Sequence, residues 1–360
     1  ESVSKEDAVQ RLRLGYWLML REGSFRQDLE ETLTGILAGG LSTRRLILVT
    51  DSMAPDDLKE HGHIDHVLRR AIGLGLAPIK AIQAVTINPA VYSGLDQEIG
   101  GIAPGRCADF TLLSHLEKIQ VESVRIGGRL VARKGESLFQ GEPMAAPGKT
   151  LKSLRLSPSV TPKTISIECA SPSARVRVME LFNHTITSEV VLQLYPRNGT
   201  LQADPNQDLM KVAVFDRHGE SGRVALGFIK GFGARVGAVG TTVNLDEYAL
   251  LIAGGNDEDM ALCANTLIET GGGVVVVDRG EVLEKVDFPF GGLFSLDPWK
   301  KVGEGLQRIH RRLRERGSPF SKPIYTLYFL TFVTLPALRI TDRGLVRAKD
   351  REIVPLFVDE

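Results

Sequence analysis

The stretch LILVTDSMAPDD, residues 46–57, decides the fold. Its apolar residues Leu46–Val49 predict a short buried strand, and Asp51 stands just after that strand. Helical patterns lie on both sides of it, at residues 27–38 and 64–74. Strands that alternate with helices are typical of a parallel α/β sheet or barrel. The stretch therefore predicts an α/β fold with a carboxylate at the end of a buried strand.

The segments around this strand extend the same pattern. Residues 5–20 carry apolar side chains three to four positions apart, which predicts one amphipathic helix. Pro78 opens another helix, and Asn88-Pro89 interrupts it. The pattern changes near residue 99, where a turn, a strand at 110–113 and a hairpin at Gly127-Gly128 predict a small β unit.

The remainder of the chain alternates strands and helices again. A helix is expected at 256–270, a hairpin turning at Arg279-Gly280 and a helix at 297–316, whereas YTLYFLTFV (325–333) reads as a strand or a buried segment. The expected organisation is the last segments of a barrel at 1–92, a small β domain at 93–138, a Pro-rich linker at 139–163 and an α+β domain at 164–360.

Composition excludes several classes of function. Lys+Arg and Asp+Glu are equal at 44 each, so no global field favours nucleic acid or an anionic membrane, and a small or neutral partner is expected. No apolar run approaches the roughly 20 residues of a membrane span. Three widely spaced cysteines form neither a zinc motif nor a disulfide framework, which predicts a cytoplasmic protein. Because the first residue is not Met, the chain is expected to be a fragment.

Asp51 allows two interpretations. In (β/α)₈ barrels the catalytic groups stand at the carboxyl ends of strands, where a carboxylate can bind a metal or take a proton from bound water. Asp also favours helix N-caps and Asx turns, and the residue pattern alone slightly favours that structural role.

The histidines His61, His63 and His66 suggest a metal site by their number. However, positions i and i+2 of a helix point apart by about 200°. Polar histidines in the first turn of a helix are therefore the favoured interpretation, although His66 beside Asp65 can still line a cleft.

Two stretches of the distal part carry residue types that suit a binding site. Asp216-Arg217-His218-Gly219 follows an apolar strand, and Arg217 can hold a planar ligand while His218 relays protons. A β-turn with solvated side chains explains the same pattern equally well. GFGARVGAVG (231–240) lacks the strand-then-helix setting of a dinucleotide site.

Taken together, these motifs resemble the adenine deaminases of the metal-dependent amidohydrolase superfamily. The resemblance is carried by LGYWLMLREGS (14–24), LVTDSMAPDDLKEHGHIDHVLRRAI (48–72) with AVTINPA (84–90), IGGIAPGRCADFTLLS (99–114), and VFDRHG, LGFIKGFG and GGNDEDMALCANTLIETGGGVVVV within 214–277. It covers nearly the whole chain but only the later part of the family's length.

The resemblance implies a partial (β/α)₈ amidohydrolase barrel, a small β domain and a C-terminal α+β domain. It also implies hydrolytic deamination of adenine to hypoxanthine and ammonia at a two-metal site with Mn²⁺ or Fe²⁺. Asp51 would then be a metal ligand and proton shuttle at the end of the last barrel strand. The expected partner is adenine, without nucleic acid or membrane, in a homo-oligomer.

This sequence departs from the family pattern in two places. The family's HxH motif and its other metal ligands belong upstream of residue 1, so the chain alone is expected to be inactive. Where the family carries His-Asp-Ser-His-Asn, this chain has Leu245–Ala249, which keeps only Asp246. A related amidohydrolase acting on another cyclic amidine or amide, or a non-catalytic binding module, therefore stays open as an alternative.

Overall fold

The computed structural model describes residues 1–139, 141, 147–151, 153–156, 159–219 and 221–358. The chain divides into two compact units, residues 1–144 and 145–360. The expected linker, residues 139–163, includes residues 140, 142–146, 152, 157 and 158, which lie outside the described part. The described Leu154 and Val160 are buried, and the backbone N–H of Val160 donates to Asn265 Oδ1 at 3.0 Å. The domain boundaries themselves stay predictions.

Unit 1 begins with two parallel strands that are flanked by helices. Its elements are α1 (Lys5–Arg13), β1 (Leu18–Arg21), α2 (Leu29–Ala38), β2 (Leu46–Val49), α3 (Pro55–His61), α4 (Ile64–Gly73), α5 (Pro78–Val85), α6 (Ile87–Ser93), β3 (Phe110–His115), β4 (Gln120–Ile126), β5 (Arg129–Arg133) and β6 (Glu136–Ser137). Strands β1 and β2 pair in parallel, with Leu18 opposite Leu46 and Arg21 opposite Val49. The predicted strand at 46–49 and the mixed α/β class are thus confirmed.

The core of unit 1 is formed by the apolar faces of β1, β2 and the surrounding helices. Leu18, Leu20, Leu33, Leu46 and Leu48 are all buried in this core. Burying such side chains contributes about 1.5–3 kcal/mol each. This packing is what fixes the two strand ends against each other.

The single helix predicted at 5–20 is wrong in its second half. Helix α1 ends at Arg13, and Gly15 follows with φ +83°, a left-handed conformation that glycine adopts without strain. The chain then enters β1 at Leu18. Four apolar residues fit a helix or a strand by spacing alone, so the sequence pattern did not separate them.

The small β unit is a four-stranded antiparallel sheet in the order β3-β4-β5-β6. Its central hairpin turns at Gly127 and Gly128, with Ile126 paired to Arg129. Both glycines have positive φ, as a two-residue hairpin turn requires. The predicted hairpin is confirmed.

Unit 2 is built on one large sheet. Its elements are β7 (Ile167–Glu168), β8 (Ala174–Leu181), β9 (Thr187–Leu194), β10 (Thr200–Leu201), β11 (Leu209–Phe215), β12 (Val224–Lys230), β13 (Ala238–Thr241), β14 (Leu250–Gly254), α7 (Asp257–Thr270), β15 (Gly273–Asp278), β16 (Glu281–Asp287), α8 (Trp299–Glu315), α9 (Pro323–Tyr328), β17 (Leu338–Thr341), β18 (Gly344–Arg347) and β19 (Glu352–Val354). Eight strands form the sheet, in the order β16-β15-β13-β14-β11-β12-β8-β9. The pairing of β8 with β12 is parallel, and the other neighbours are antiparallel.

The apolar helix α7 packs on this sheet. Met260, Cys263, Ala264 and Leu267 lie in one buried cluster with side chains of β11, β13, β14 and β15. Asn256 caps the helix, since its side-chain oxygen accepts from the N–H of Asp259. The cap and the helix at 256–270 agree with the sequence pattern. The YTLYFLTFV segment (325–333) is largely a buried segment, as one of the two alternatives predicted, and its first four residues lie in helix α9 rather than in a strand.

A buried ion pair joins α7 to the centre of the sheet. Lys211 of β11 is 1% exposed at its side chain, and its Nζ lies 2.6 Å from Asp257 Oδ1. The same ammonium donates to the carbonyl oxygen of Ile165 at 3.3 Å. An isolated charge is costly in such surroundings, so each partner depends on the other.

No helix among the described residues has the length and apolarity needed to cross a bilayer.

A carboxylate between two arginines ties the hairpin strand β18 to the edge of the large sheet. Glu189 accepts from Nε and Nη2 of Arg347, both at 2.8 Å, and from Nε of Arg177 at 3.1 Å. The hydrogen bond from Arg347, together with the charge of both arginines, holds the pKa of Glu189 below its ordinary value. The lowered pKa means that this contact stabilises the folded state only where the carboxylate is ionised.

We expect Glu189→Gln to lower the Tm of unit 2 at pH 7 by about 2–4 °C, which corresponds to about 1 kcal/mol for a partly exposed pair. The contribution is fully present above the unfolded carboxyl pKa of about 4.3 and disappears as the pH falls through the lower folded pKa. Thermal unfolding at pH 7 and at about pH 3 measures this. Glu168→Gln, at an exposed position of β7, is the matched control. A Tm difference that stays constant from pH 7 to pH 3 would contradict the assignment.

Candidate functional site

The carboxyl ends of β1 and β2 meet at one edge, because the two strands are parallel. Hydrogen bonds join the loops that leave them. The N–H of Ser24 donates to the carbonyl of Ser52 at 2.9 Å, and the N–H of Ala54 donates to Ser24 Oγ at 2.8 Å. The two loops therefore form one connected surface at the strand ends.

Gly23 is required for this connection. A Cβ at this position would lie 1.8 Å from the carbonyl oxygen of Thr50. No side chain fits there without moving the backbone, so the glycine of the LREGS stretch lets the two loops approach closely. Next to this approach, Arg21 at the end of β1 lies 3.6 Å from Asp51.

Asp51 stands two residues beyond the end of β2, with its carboxylate directed outward. Its backbone is left-handed, with φ +55°, and its side chain is 37% exposed. The carboxylate accepts from Ser52 Oγ at 3.2 Å and lies 3.6 Å from Arg21 Nη1. Ala54, not Asp51, occupies the N-cap position of α3. The N-cap interpretation of Asp51 is thus wrong, and its partly exposed carboxylate is paired with Arg21 instead.

Arg21 gathers the carboxylates at this edge. Its side chain is 10% exposed and contacts Glu1 at 2.9 Å, Asp51 at 3.6 Å and Asp28 through Nε at 3.0 Å. A guanidinium with three acidic neighbours restrains the direction of each carboxylate. The ion pair with the largely buried Arg21 therefore restrains the orientation of the Asp51 side chain.

Glu22 was missed in the sequence analysis, although it follows β1 directly. It is 5% exposed, and its Oε1 accepts from Arg70 Nε at 3.3 Å. Burial raises the pKa of its carboxyl group, and Oε2 has no hydrogen-bond partner among the described residues. Its position could have revealed it. Glu22 follows the end of β1, just as Asp51 follows the end of the parallel strand β2.

Within the described part of the chain, the three histidines do not come together in one group of possible metal ligands. His61 ends α3, His63 precedes α4, and His66 lies in the first turn of α4 with its ring stacked on that of His61 at 5.2 Å. Burial and the neighbouring His61 lower the pKa of His66. The structure does not bring His63 or His66 to Asp51 through any contact among the described residues.

One group of possible metal ligands lies on α3. A ligand atom from each of Asp57, Glu60 and His61 falls within 4.8 Å of the others. The spacing i, i+3, i+4 places the three on one helix face. Asp51 belongs to no group of three or more such residues in the described part of the chain. A two-metal site at Asp51 would therefore need ligands from residues outside that part.

The distal candidates lie on the connections of the large sheet in unit 2. Arg217 is buried, and its guanidinium donates to the carbonyl of Tyr248 at 2.8 Å, to Ser153 Oγ at 3.0 Å and to the carbonyl of Gly291. Burial lowers its pKa. His218 beside it is exposed. The turn interpretation is therefore correct for His218, whereas Arg217 is a buried anchor between loops.

The run Leu245–Ala249 is a tight loop closed at its base. Asn244 is fully buried, accepts from the N–H of Ala249 at 3.1 Å and donates to the carbonyl of Ala249 at 2.7 Å. Asp246 and Tyr248 have φ of +70° and +49°, and both side chains are exposed. Partial burial raises the pKa of Asp246. Glu247, between these two residues, is half-buried.

A cleft of about 760 Å³ in unit 2 brings several of these residues together. Arg217, His218 and Glu247 line it, and Asp246 does not. The loops of β17–β19 supply the opposite wall with Arg343 and Arg351. Sequence reasoning singled out Arg217 and His218. It missed Glu247, Arg343 and Arg351, which come from connections distant in the chain.

Comparison with known proteins places this chain among relatives. Residues 184–352 match the family described as adenine deaminase C-terminal domain, and residues 20–131 match the amidohydrolase family. Adenine deaminase from Moorella thermoacetica is 41% identical over 99% of this chain and 60% of its own length. Adenine deaminase from Clostridium botulinum (strain Loch Maree / Type A3) is 39% identical over the whole chain and 60% of its own length. Adenine deaminase from Cenarchaeum symbiosum is 34% identical over 99% of this chain and 58% of its own length.

The matches extend from one end of the chain to the other, and the chain spans about 60% of the length of these relatives. Both family matches include segments that carried the resemblance in the sequence, namely the strand with Asp51 and the distal sheet. Residues 184–352 thus belong to the adenine deaminase C-terminal domain family, and residues 20–131 belong to the amidohydrolase family.

Proposed function

We propose that this chain is part of an enzyme that hydrolyses adenine to hypoxanthine and ammonia, and that Asp51 is its metal-binding and proton-transferring carboxylate. The observation that carries the proposal is the partly exposed Asp51 carboxylate at the shared edge of two parallel strands, held beside Arg21. The names of the relatives support the choice of substrate. Carboxylates at this end of barrel strands are the ones that serve catalysis.

The residues present fit a divalent metal only in part. Asp51 offers hard oxygen donors with an exposed face, which suits Mn²⁺ or Fe²⁺. When bound, such a metal lowers the pKa of its water from about 15.7 to about 7 and so supplies hydroxide at neutral pH. Asp51, fixed by Arg21, is placed to accept the water proton and return it to the leaving nitrogen.

The strands β1 and β2 with their helices fit the last segments of a (β/α)₈ barrel, followed by the small β sheet. In this proposal the remaining ligands stand on preceding barrel strands. A cytoplasmic homo-oligomer remains part of the proposal.

Release of ammonia from adenine tests the function. We expect the complete protein that contains this chain to convert adenine to hypoxanthine after loading with Mn²⁺ or Fe²⁺, and to lose that activity on chelation. Hypoxanthine absorbance and ammonia are measured together. Turnover of another cyclic amidine with no turnover of adenine would overturn the substrate. A metal-loaded protein that turns over neither would overturn the enzymatic role.

A further inference from the structure

Strand β9 is an outer strand of the large sheet, because β8 is its only sheet neighbour among the described residues. An outer strand carries backbone N–H and C=O groups on the side away from its neighbour, and these groups can pair with another chain. The opposite edge of the same sheet is β16. The two edges can therefore be compared for the features that favour or oppose such pairing.

The hydrogen bonds of β8 show which backbone groups of β9 face outward. Opposed residues of an antiparallel pair alternate between those that exchange both backbone hydrogen bonds and those that exchange none. Arg177 lies opposite Val191 and directs its N–H elsewhere, to the carbonyl of Leu356, so this pair exchanges none. Val191 therefore directs its N–H and C=O to the outside of the sheet. Glu189 and Gln193, two positions away on either side, do the same.

The unoccupied part of this edge begins after Thr187. Thr187 also faces outward, and its N–H donates to the carbonyl of Pro336 while its carbonyl accepts from the N–H of Ala337. Beyond it, the outward groups of three residues have no backbone partner in the described part of the chain, namely Glu189, Val191 and Gln193. Their N–H and C=O groups are left for an extended segment that lies alongside.

Charged side chains protect the other edge of the sheet but not this one. Strand β16 carries charge at four of its seven positions, which are Glu281, Glu284, Lys285 and Asp287. Charged side chains on an edge strand oppose pairing with another chain. The unoccupied stretch of β9 has one charged residue, Glu189, whose carboxylate is held by Arg177 and Arg347. The β9 edge thus lacks the protection that β16 has.

The unoccupied stretch is complementary to itself in the antiparallel direction. When Val191 stands opposite Val191 of a second copy, Glu189 of each copy stands opposite Gln193 of the other, and every outward N–H meets an outward C=O. The carboxylate and the amide can hydrogen-bond, the two valines pack at the centre, and no like charges are opposed. A second copy of this chain, related by a two-fold axis at Val191, therefore satisfies all of these groups.

We propose that two copies of this chain pair through β9, in an antiparallel arrangement centred on Val191 that joins their large sheets into one. The proposal gives an interface to the homo-oligomer of the proposed function and rests on that function in no other respect. Adenine deamination does not enter the argument. Ammonia release tests deamination and sedimentation tests the interface, so either can fail without the other.

Sedimentation velocity of the 360-residue chain between about 1 and 100 µM tests the proposal, because a dimer held by one strand edge dissociates on dilution. We expect a species of twice the single-chain mass at the upper concentration. Val191→Lys and Val191→Glu each place like charges opposite each other and should sediment as monomers. Equimolar mixing of these two variants should restore the dimer, since only a mixed pair brings opposite charges together.

Val282→Lys is the matched control, because Val282 on the other edge strand is 41% exposed and Val191 is 42% exposed. This variant should dimerise as the unaltered chain does. Both positions are exposed enough for a charged side chain to reach water, so the fold is expected to persist, and circular dichroism checks it. A monomeric unaltered chain at about 100 µM would overturn the proposal. So would a dimer retained by Val191→Lys, or failure of the two mixed variants to associate.

Discussion

Asp51→Asn in the complete protein is expected to lower kcat for adenine by about 10³-fold, within the usual range for a positioned acid–base group. The substitution keeps the size of the side chain and suits the left-handed backbone at position 51, so the fold is expected to persist. It removes a carboxylate oxygen that would bind metal and accept a proton. The measurements are kcat, Tm and the metal content of the purified protein.

Asp96→Asn, at a partly exposed position of the same unit, is the matched control and should retain normal turnover and metal. The metal content separates the two roles assigned to Asp51. Loss of metal together with activity indicates a ligand, whereas loss of activity with metal retained indicates proton transfer alone. Near-normal turnover by Asp51→Asn would refute both.

The largest effect on stability is expected from Asp257→Ala. This change leaves the ammonium of Lys211 buried at the centre of the sheet with only the Ile165 carbonyl as its acceptor. Breaking a buried pair in this way costs about 3–5 kcal/mol. Unit 2 should unfold about 10 °C lower or more. Chemical denaturation followed by circular dichroism measures the change in free energy of unfolding.

Two further variants make the test specific. Glu258→Ala removes an exposed carboxylate from the same first turn of α7, so it reports the effect of helix-terminal charge alone. Lys211→Met with Asp257→Ala removes both buried charges and should recover most of the lost stability. Equal destabilisation by the Asp257 and Glu258 substitutions would contradict a special role for the buried pair.

Local sequence patterns predicted the helices and strands that begin or end at a recognisable capping or turn residue. The strand at 46–49 has Asp51 after it, and α7 has both an N-cap at Asn256 and a left-handed Gly271 at its end. The strand at 18–21 lacks such a signal at its start and was merged with α1. The YTLYFLTFV segment (325–333) is rich in aromatic residues, which favour strands, yet its first four residues lie in α9, which begins at Pro323 and is buried at every residue.

In the candidate sites too, local sequence patterns indicate some residues and miss others. Asp51 could be singled out because a carboxylate after an apolar strand lies within six residues, but its role as a metal ligand came from the family resemblance and stays a prediction. Glu247, Arg343 and Arg351 come together only through the pairing of strands far apart in the chain, which no local pattern encodes. Lys211 and Asp257 are likewise 46 positions apart, so their contact follows from the sheet and not from spacing.

The order of strands in the large sheet also bears on how fast unit 2 reaches its native state. β8 pairs with β12, and β13 with β15, across long intervening segments. Contacts that close such loops form late and slow the folding rate. Equilibrium denaturation of this unit therefore requires long incubation. If the incubation is too short for equilibrium, the unfolding and refolding curves are expected to differ.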